Sequence, residues 1–339
     1  MTPPTSFPAF LATKQFDADG KPTGVKRAVG ELAASDLPPG EVTVRVLYSS
    51  VNYKDALATT LDGGVSRLNV LVPGVDLAGE VIAVDGEAAV KVGDLVIAHG
   101  NDIGTGRHGG YAAFARLPAD WVIDLPGGLT PREAMAIGTA GFTAAASIHA
   151  LENAGLHPSN GKVLVTGATG GVGSTAVGIL AKRGYDVVAS TGKVDHDDFL
   201  RSLGALEIIR REETSAESKR PLESERWAGA VDCVGGTTLA YVLRTLRYGA
   251  SVAASGLTGG VAIPTTVLPF ILRGVNLLGI DSVMMPMNIR RDIWHRCSTD
   301  LKPVGLDGEL VTEIGLGELD AALTAIRAGE TSGRYVVKL

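Results

Sequence analysis

The sequence predicts an α/β fold in which a β-rich domain is joined to a doubly wound parallel sheet of six strands. Three observations lead there. The 339 residues suit two domains at roughly 100–200 residues each. The chain up to about residue 125 alternates apolar and polar positions, the pattern of half-buried strands. From Val163 onward, short apolar runs bounded by glycine alternate with helical stretches, which is what a buried parallel sheet requires.

The β-rich part begins with "EVTVRVLYSSVNY", where Val42, Val44 and Val46 alternate with Thr43 and Arg45. "VPGVDLAGEVIAV" and "VKVGDLVIAHG" read as further strands between glycine turns, and "GGYAAFARLPADWVIDLP" closes the region. The character changes at "TPREAM": Thr130 is placed to cap a helix, Pro131 to occupy its first position and Glu133 to complete a capping box. The six expected sheet strands are Val163–Thr166, Asp186–Ser190, Glu207–Ile209, Ala230–Val234, Ser251–Ser255 and Asn276–Ile280. Near the end, Leu319, Ala322, Leu323 and Ile326 mark one helical face, and "GRYVVKL" reads as a strand in need of a partner. Pairing with the N-terminal β-rich part would make that domain discontinuous. The expected division is 1–130 with 291–339 for the β-rich domain and 131–290 for the parallel sheet.

Between the first sheet strand and the next helix lies "GATGGVGST". A strand, a glycine loop and a helix in that order form the phosphate-binding turn of a Rossmann dinucleotide site. The run Ala168-Thr169-Gly170-Gly171-Val172-Gly173 departs from G-x-G-x-x-G at its first position, although Gly167 stands just before it. Alanine is acceptable there if its dihedrals are ordinary, since only a positive φ strictly favours glycine. Gly170 then admits the pyrophosphate, Gly173 admits close helix–strand packing, and the amides of Gly170, Gly171 and Val172 face the phosphates. Ser174 and Thr175 add hydroxyls in the first turn.

Cofactor choice follows from the end of the second strand, where NAD sites place an acidic residue on the ribose. This chain has "VVASTGKVD", with no carboxylate at Ser190 or Thr191. Thr191, the Gly192 amide and Lys193 offer donors and charge, and Arg210 and Arg211 lie one strand away. A guanidinium suits a 2′-phosphate because its planar fork donates in pairs. NADPH is the expected cofactor.

Composition narrows the function further. A net charge of -6 and 5% aromatics give neither the basic field nor the stacking platforms of a nucleic-acid partner. The N-terminus "MTPPTSFPAF" carries no secretory signal, and the apolar run from Ala134 to Ile148 is short for a bilayer span, so no membrane partner is expected. Two cysteines, Cys233 and Cys297, suit a reducing compartment, and the cytoplasm is the expected location. Cys233 reads as a small buried hydrophobe. The six histidines and two cysteines show no zinc spacing, so no metal is expected; His99 and His108 read as turn or surface residues.

The segments "SSVNYKDALA", "VPGVDLAGEV", "GGYAAFARL", "MAIGTAGFTAAASI", "GATGGVGSTAV" and "PTTVLPFILRGVNLLGIDSV" resemble the medium-chain dehydrogenase/reductase superfamily. Within it they resemble the zinc-free quinone-oxidoreductase branch, and most closely its acrylyl-CoA reductase (YhdH-type) subgroup. Zinc-dependent relatives place Cys and His-Glu ligands where this chain has Asn52-Tyr53 and Val75-Asp76. The resemblance implies a GroES-like catalytic domain, a homodimer, and NADPH-dependent reduction of the activated double bond of acrylyl-CoA to propionyl-CoA. The alternatives are a quinone or enone reductase using the same cofactor, and a non-enzymatic NADPH-binding protein. It implies a catalytic contact at Tyr53, which either donates from its hydroxyl or packs on the cofactor, with Asn52 beside it. Cofactor contacts are implied at Tyr53, Thr143, Thr169, Gly170, Gly171, Val172, Thr191, Gly192, Lys193, Arg211, Leu257, Ile271 and Ser282, while Thr139 bonds the cofactor or caps its helix. Arg334 is read as shaping the site or as a surface ion pair. Lys54, Arg67, Arg107, Arg290 and Arg291 are the cations available for the phosphates of an acyl-CoA substrate.

Overall fold

The computed structural model describes residues 3–339. Its strands before the glycine loop are β1 (Ser6–Phe16), β2 (Pro22–Ala33), β3 (Val42–Val51), β4 (Val70–Leu71), β5 (Asp76–Val84), β6 (Leu95–His99), β7 (Phe114–Leu117) and β8 (Ile123–Asp124). The next six are β9 (Val163–Thr166), β10 (Val187–Thr191), β11 (Glu207–Arg210), β12 (Trp227–Asp232), β13 (Leu246–Ala254) and β14 (Asn276–Gly279). The last two are β15 (Val311–Gly315) and β16 (Arg334–Lys338).

All six expected sheet strands form, and they make one parallel sheet in the order β11-β10-β9-β12-β13-β14. Counted along the chain this is 3-2-1-4-5-6, the doubly wound order, with its switch point between β9 and β12. Every residue of β9 and β10 is buried, as strands covered on both faces must be. One side of this sheet packs Leu164, Val188, Trp227, Leu243 and Leu246 into a single core.

The β-rich part holds a seven-stranded sheet in the order β15-β16-β3-β5-β6-β8, with β7 also on β3, and a smaller sheet β2-β1-β4. The terminal strand β16 pairs antiparallel with β3 and parallel with β15. In β3, Val42, Val44 and Val46 face a core with Leu77, Val96 and Leu117, while Arg45 is exposed. Thr43 breaks the expected alternation. It is buried where β7 pairs alongside it, and its hydroxyl accepts from Arg116 Nε at 3.3 Å.

By its contacts the chain forms two compact units. One runs to Thr139 and resumes at Val283–Asp292 and Val311–Leu339; the other comprises Ala140–Ser282 and Ile293–Leu310. The helix Pro131–Asn153 starts with the expected box: Thr130 N donates to Glu133 Oε2 at 2.8 Å, and Glu133 N to Thr130 Oγ1 at 3.2 Å. At 23 residues it is long and apolar enough to cross a membrane by length and composition, but 83% of its most apolar window is buried within the protein. It breaks at Gly138 (φ 52°, ψ -163°). A Cβ there would lie 2.4 Å from Ser50 Oγ and 2.6 Å from Arg334 Nη2, so only glycine fits.

Gly138 closes over a buried polar cluster. Asp76, the first residue of β5, accepts from Ser50 N (2.9 Å), Ser50 Oγ (2.8 Å), Asn52 Nδ2 (2.9 Å) and Thr139 N (2.8 Å). Arg334, on β16, donates to Ser50 Oγ at 2.8 Å and to Ala136 O at 3.0 Å, and its guanidinium also faces Asn52 Oδ1 at 3.4 Å. It is 2% exposed, so the surface reading of Arg334 is corrected: its partners lie on β3 and on the broken helix, both in the fold's interior. Beside it, Asp55 accepts from Asn52 N (2.8 Å), Val75 N (2.8 Å) and the Tyr111 hydroxyl (3.0 Å).

Burial and the neighbouring Asp76 push the Asp55 carboxyl up to about 7, although the bonds from Asn52 and Val75 pull it back. Unfolded, the group titrates near its ordinary value of 3.8. Between these values the folded chain keeps a proton that the unfolded chain has released. This contribution to stability is therefore complete below the unfolded value and is lost as pH rises through about 7. Asp55→Asn removes that slope and also sets an amide NH2 against backbone donors, at a cost of about 1–3 kcal/mol. Urea denaturation at a series of pH values checks both: the variant's stability should be lower and should lack the decline between acid and neutral pH.

Candidate functional site

The phosphate-loop turn is made by Gly167, which has φ 60°, whereas Ala168 is not among the residues of positive φ. The left-handed position sits one residue earlier than the fingerprint implies, which is why alanine is accommodated. The loop is held by Ala168 N donating to Ser190 O (3.0 Å) and by Gly170 N donating to Gly167 O (3.0 Å). That second bond corrects the expectation for Gly170, whose amide closes the turn rather than facing out. The helix Gly171–Lys182 begins next, and the amides of Gly171 and Val172 have no preceding helical carbonyl to bond. A Cβ on Gly173 would fall 2.3 Å from Gly167 O, so close packing excludes any side chain there. On Gly170 the nearest atom would be 3.4 Å away, which the fold tolerates. Ser174 and Thr175 spend their hydroxyls on their own helix, donating to Gly170 O and Gly171 O at 2.8 Å each. They are not free donors as the sequence suggested.

At the end of β10, Thr191 Oγ1 lies 3.4 Å from Thr169 Oγ1 and accepts from Lys193 N at 3.0 Å. The Arg211 side chain lies directly over Gly192, where a Cβ would come within 2.0 Å of Nη2. Thr169, Thr191, Gly192, Lys193 and Arg211 are thus brought together beside the phosphate loop. Arg210 is not: it is bound at both nitrogens to Asp197, at 2.9 and 2.6 Å. Of two adjacent arginines, the fold leaves the second facing the strand ends.

Leu257 lies apart from that group. It is 56% exposed and lines a pocket of about 630 Å3 with Gly235, Gly236, Leu239, Ser255, Gly256 and Leu277. Ile271 is exposed on the short helix Leu268–Arg273, and Ser282 is half-buried at the end of its unit. Thr143 is buried in the helix Pro131–Asn153.

Asn52 and Tyr53 belong to the other unit, at the start of the helix Tyr53–Ala58. Asn52 is buried, with its amide engaged by Asp76 and Ser50 and its carbonyl oxygen by Arg334. Tyr53 is 37% exposed. Asn52 therefore anchors the turn that presents Tyr53. The sequence reading missed Asp55 as part of this anchor, although "NYKD" carries the N-cap and N3 spacing that signals it.

Several remaining readings are corrected. His99 is buried at the end of β6, and burial next to Arg290 holds its imidazole well below the usual value. His108, by contrast, lies half-buried in a loop as expected, and its Nδ1 accepts from Val72 N at 3.1 Å. Arg290 is buried, donating to the carbonyls of His99, Val283 and Met285. Arg107 bonds the carbonyls of Pro39 and Arg116, and Arg67 pairs with Asp102 at 3.1 Å. Arg290 and Arg107 are thereby engaged, whereas Arg67 stays largely exposed. Cys233 is half-buried rather than enclosed, and Cys297 is the fully buried one. Among the described residues, no group of three or more His, Cys, Asp and Glu side chains could hold a metal ion.

Two family models match the chain: the alcohol dehydrogenase GroES-like domain over residues 38–127, and the zinc-binding dehydrogenase over residues 171–296. The acrylyl-CoA reductase AcuI of Ruegeria pomeroyi is 50% identical over 321 residues, which cover 95% of this chain and 97% of that one. The putative quinone oxidoreductase YhfP of Bacillus subtilis is 48% identical over 335 residues, 99% of each. The crystal structure of Bacillus subtilis yhfP with NAD bound matches with a TM-score of 0.94 at 48% identity, covering 99% of this chain and 100% of that one. That of the yhdH oxidoreductase from Salmonella enterica in complex with NADP matches with a TM-score of 0.93 at 47% identity, covering 98% and 99%. With a GroES-like domain, a doubly wound six-stranded sheet and near-complete relatives at about half identity, the chain belongs to the medium-chain dehydrogenase/reductase superfamily of oxidoreductases, in the quinone-oxidoreductase-like group that contains AcuI.

Proposed function

We propose that the chain is an NADPH-dependent reductase of the activated carbon–carbon double bond of acrylyl-CoA, yielding propionyl-CoA without a metal. The observation that carries the cofactor half is the carboxylate-free end of β10 beneath Arg211. The fit is physical: Gly170 leaves room for a pyrophosphate, the Gly171 and Val172 amides point out of a helix N-terminus, and a guanidinium lies over Gly192. An acidic residue at Thr191 would repel a 2′-phosphate; threonine does not. Thr169, Gly170, Gly171 and Val172 hold the phosphates in this reading, and Thr191, Gly192, Lys193 and Arg211 hold the 2′-phosphate. Leu257, Ile271, Ser282 and Thr143 contact the remainder. One relative is crystallised with NADP and another with NAD, and the Arg211 arrangement favours the first. When bound, NADPH supplies the hydride for the substrate β-carbon.

The acceptor half rests on AcuI, half identical over nearly the whole chain. Negative charge grows on the thioester oxygen as the β-carbon is reduced and needs a donor set in place beforehand. Tyr53 is that donor. Its backbone is fixed by Asn52 and Asp55, while its side chain reaches solvent. The β-rich domain, 1–130 with 291–339, carries this catalytic turn, and 131–290 carries the cofactor.

A second reading, a quinone or enone reductase with the same cofactor, is favoured by the name of YhfP. A homodimer fits the uncovered edge of β14, where Leu277 and the neighbouring Val267, Ile271 and Leu272 are exposed. Two free cysteines suit the cytoplasm.

NADPH oxidation with acrylyl-CoA, benzoquinone and methyl vinyl ketone separates the acceptors. The CoA ester should have the highest kcat/KM, by at least about tenfold; a free enone or quinone matching it would overturn the acceptor assignment. Arg211→Ala should weaken NADPH binding by roughly tenfold or more and leave NADH binding nearly unchanged; equal losses in fluorescence titrations would remove the 2′-phosphate role. Tyr53→Phe should lower kcat by about 100-fold without moving the unfolding free energy. An unchanged kcat leaves the ring only a packing role.

A further inference from the structure

The sheet of the second unit contains a buried acid that none of the functional assignments above uses. Asp232 ends β12, and Thr166 ends the adjacent β9 at the switch point of the sheet. Asp232 is fully buried, yet among the described residues no lysine or arginine forms an ion pair with it. Its Oδ1 accepts from Thr166 Oγ1 at 2.7 Å, and its Oδ2 from Gly235 N at 2.8 Å. Thr166 Oγ1 accepts in turn from Cys233 N at 3.1 Å, and the Asp232 carbonyl accepts from Ser255 N at 3.0 Å.

A buried carboxylate without a cation is costly unless its hydrogen bonds do a specific task. Here each bond ends on a different part of the cofactor region. Thr166 is the residue before Gly167, the left-handed turn of the phosphate loop, and a Cβ on Gly167 would rest 3.2 Å from Val234 and 3.5 Å from Cys233. Gly235 and Ser255 line the pocket that contains Leu257. The acid is thus bonded to the entry of the phosphate loop on one side and to the wall of that pocket on the other.

We propose that Thr166 and Asp232 are positioning residues that set the phosphate loop and the Leu257 pocket in register, so that one dinucleotide can occupy both. The proposal rests on the NADPH reading above. Neither side chain need touch the cofactor; the pair fixes the spacing of the two subsites, as a supporting layer fixes a binding layer.

The test uses Thr166→Val, which keeps the shape and removes the hydroxyl, with Thr166→Ser, which keeps the hydroxyl, as its control. Two probes are titrated: NADPH, which needs both subsites, and adenosine 2′,5′-bisphosphate, which lacks the nicotinamide half. Thr166→Val should raise the Kd for NADPH by roughly tenfold and leave that for the bisphosphate within about twofold, because only the link between subsites is lost. Thr166→Ser should bind both as the unaltered protein does. Retained bisphosphate binding also demonstrates that the valine variant is folded; if it does not fold, Thr166→Ala gives the same comparison. Equal losses for both probes, no loss for either, or a serine variant as weak as the valine one would each overturn the positioning role. An unaltered protein that binds neither probe overturns the NADPH reading itself, and this proposal with it.

Discussion

The first unit depends on the neutralisation of Asp76. This carboxylate lies in the interior with four hydrogen-bond donors around it, and the charge of Arg334 reaches it through the Ser50 hydroxyl. The donors come from β3, from the turn after it and from the helix broken at Gly138; the cation comes from β16. Removing one partner of such a cluster strands a buried charge, typically at about 3–5 kcal/mol. The arrangement is therefore poor as a source of stability and strong as a constraint on geometry. It fixes Asn52, and Asn52 fixes where Tyr53 begins its helix.

The second unit solves a different problem. A dinucleotide needs donors without side chains in the way, and helix N-termini at the carboxyl ends of parallel strands supply them. Gly167 takes the turn, Gly173 the close packing and Gly170 the open face. In the proposed reading cofactor preference is delegated to Arg211, which lies on the surface of the strand ends and is not built into the sheet. Two near relatives crystallised with different dinucleotides on nearly the same fold are compatible with that separation.

Much of this was legible in the sequence because it is local. The six strands announced themselves as apolar runs between glycines, and the box at Thr130 and Glu133 by its spacing. What escaped was set by distant partners. Arg334 is buried because Ser50 lies 284 residues away in sequence and next to it in space, and no periodicity reports that. Arg210 and Arg211 are indistinguishable as letters; Asp197, across the end of β10, decides which one is engaged. The hydroxyls of Ser174 and Thr175 were misread for a simpler reason. A serine or threonine in a first turn has its own helix carbonyl within reach, and here both took it.

The position of β16 bears on the order of synthesis. In chain order β16 comes after every other strand of the seven-stranded sheet, yet it is an interior member, between β15 and β3, and it carries the cation that answers Asp76. Until it arrives, β3 lacks one of its neighbours and Asp76 lacks the cation that reaches it through Ser50. The parallel sheet is complete by Gly279, and its unit needs nothing beyond Leu310. Translation from the N-terminus thus completes the second unit, by Leu310, before β16 completes the first.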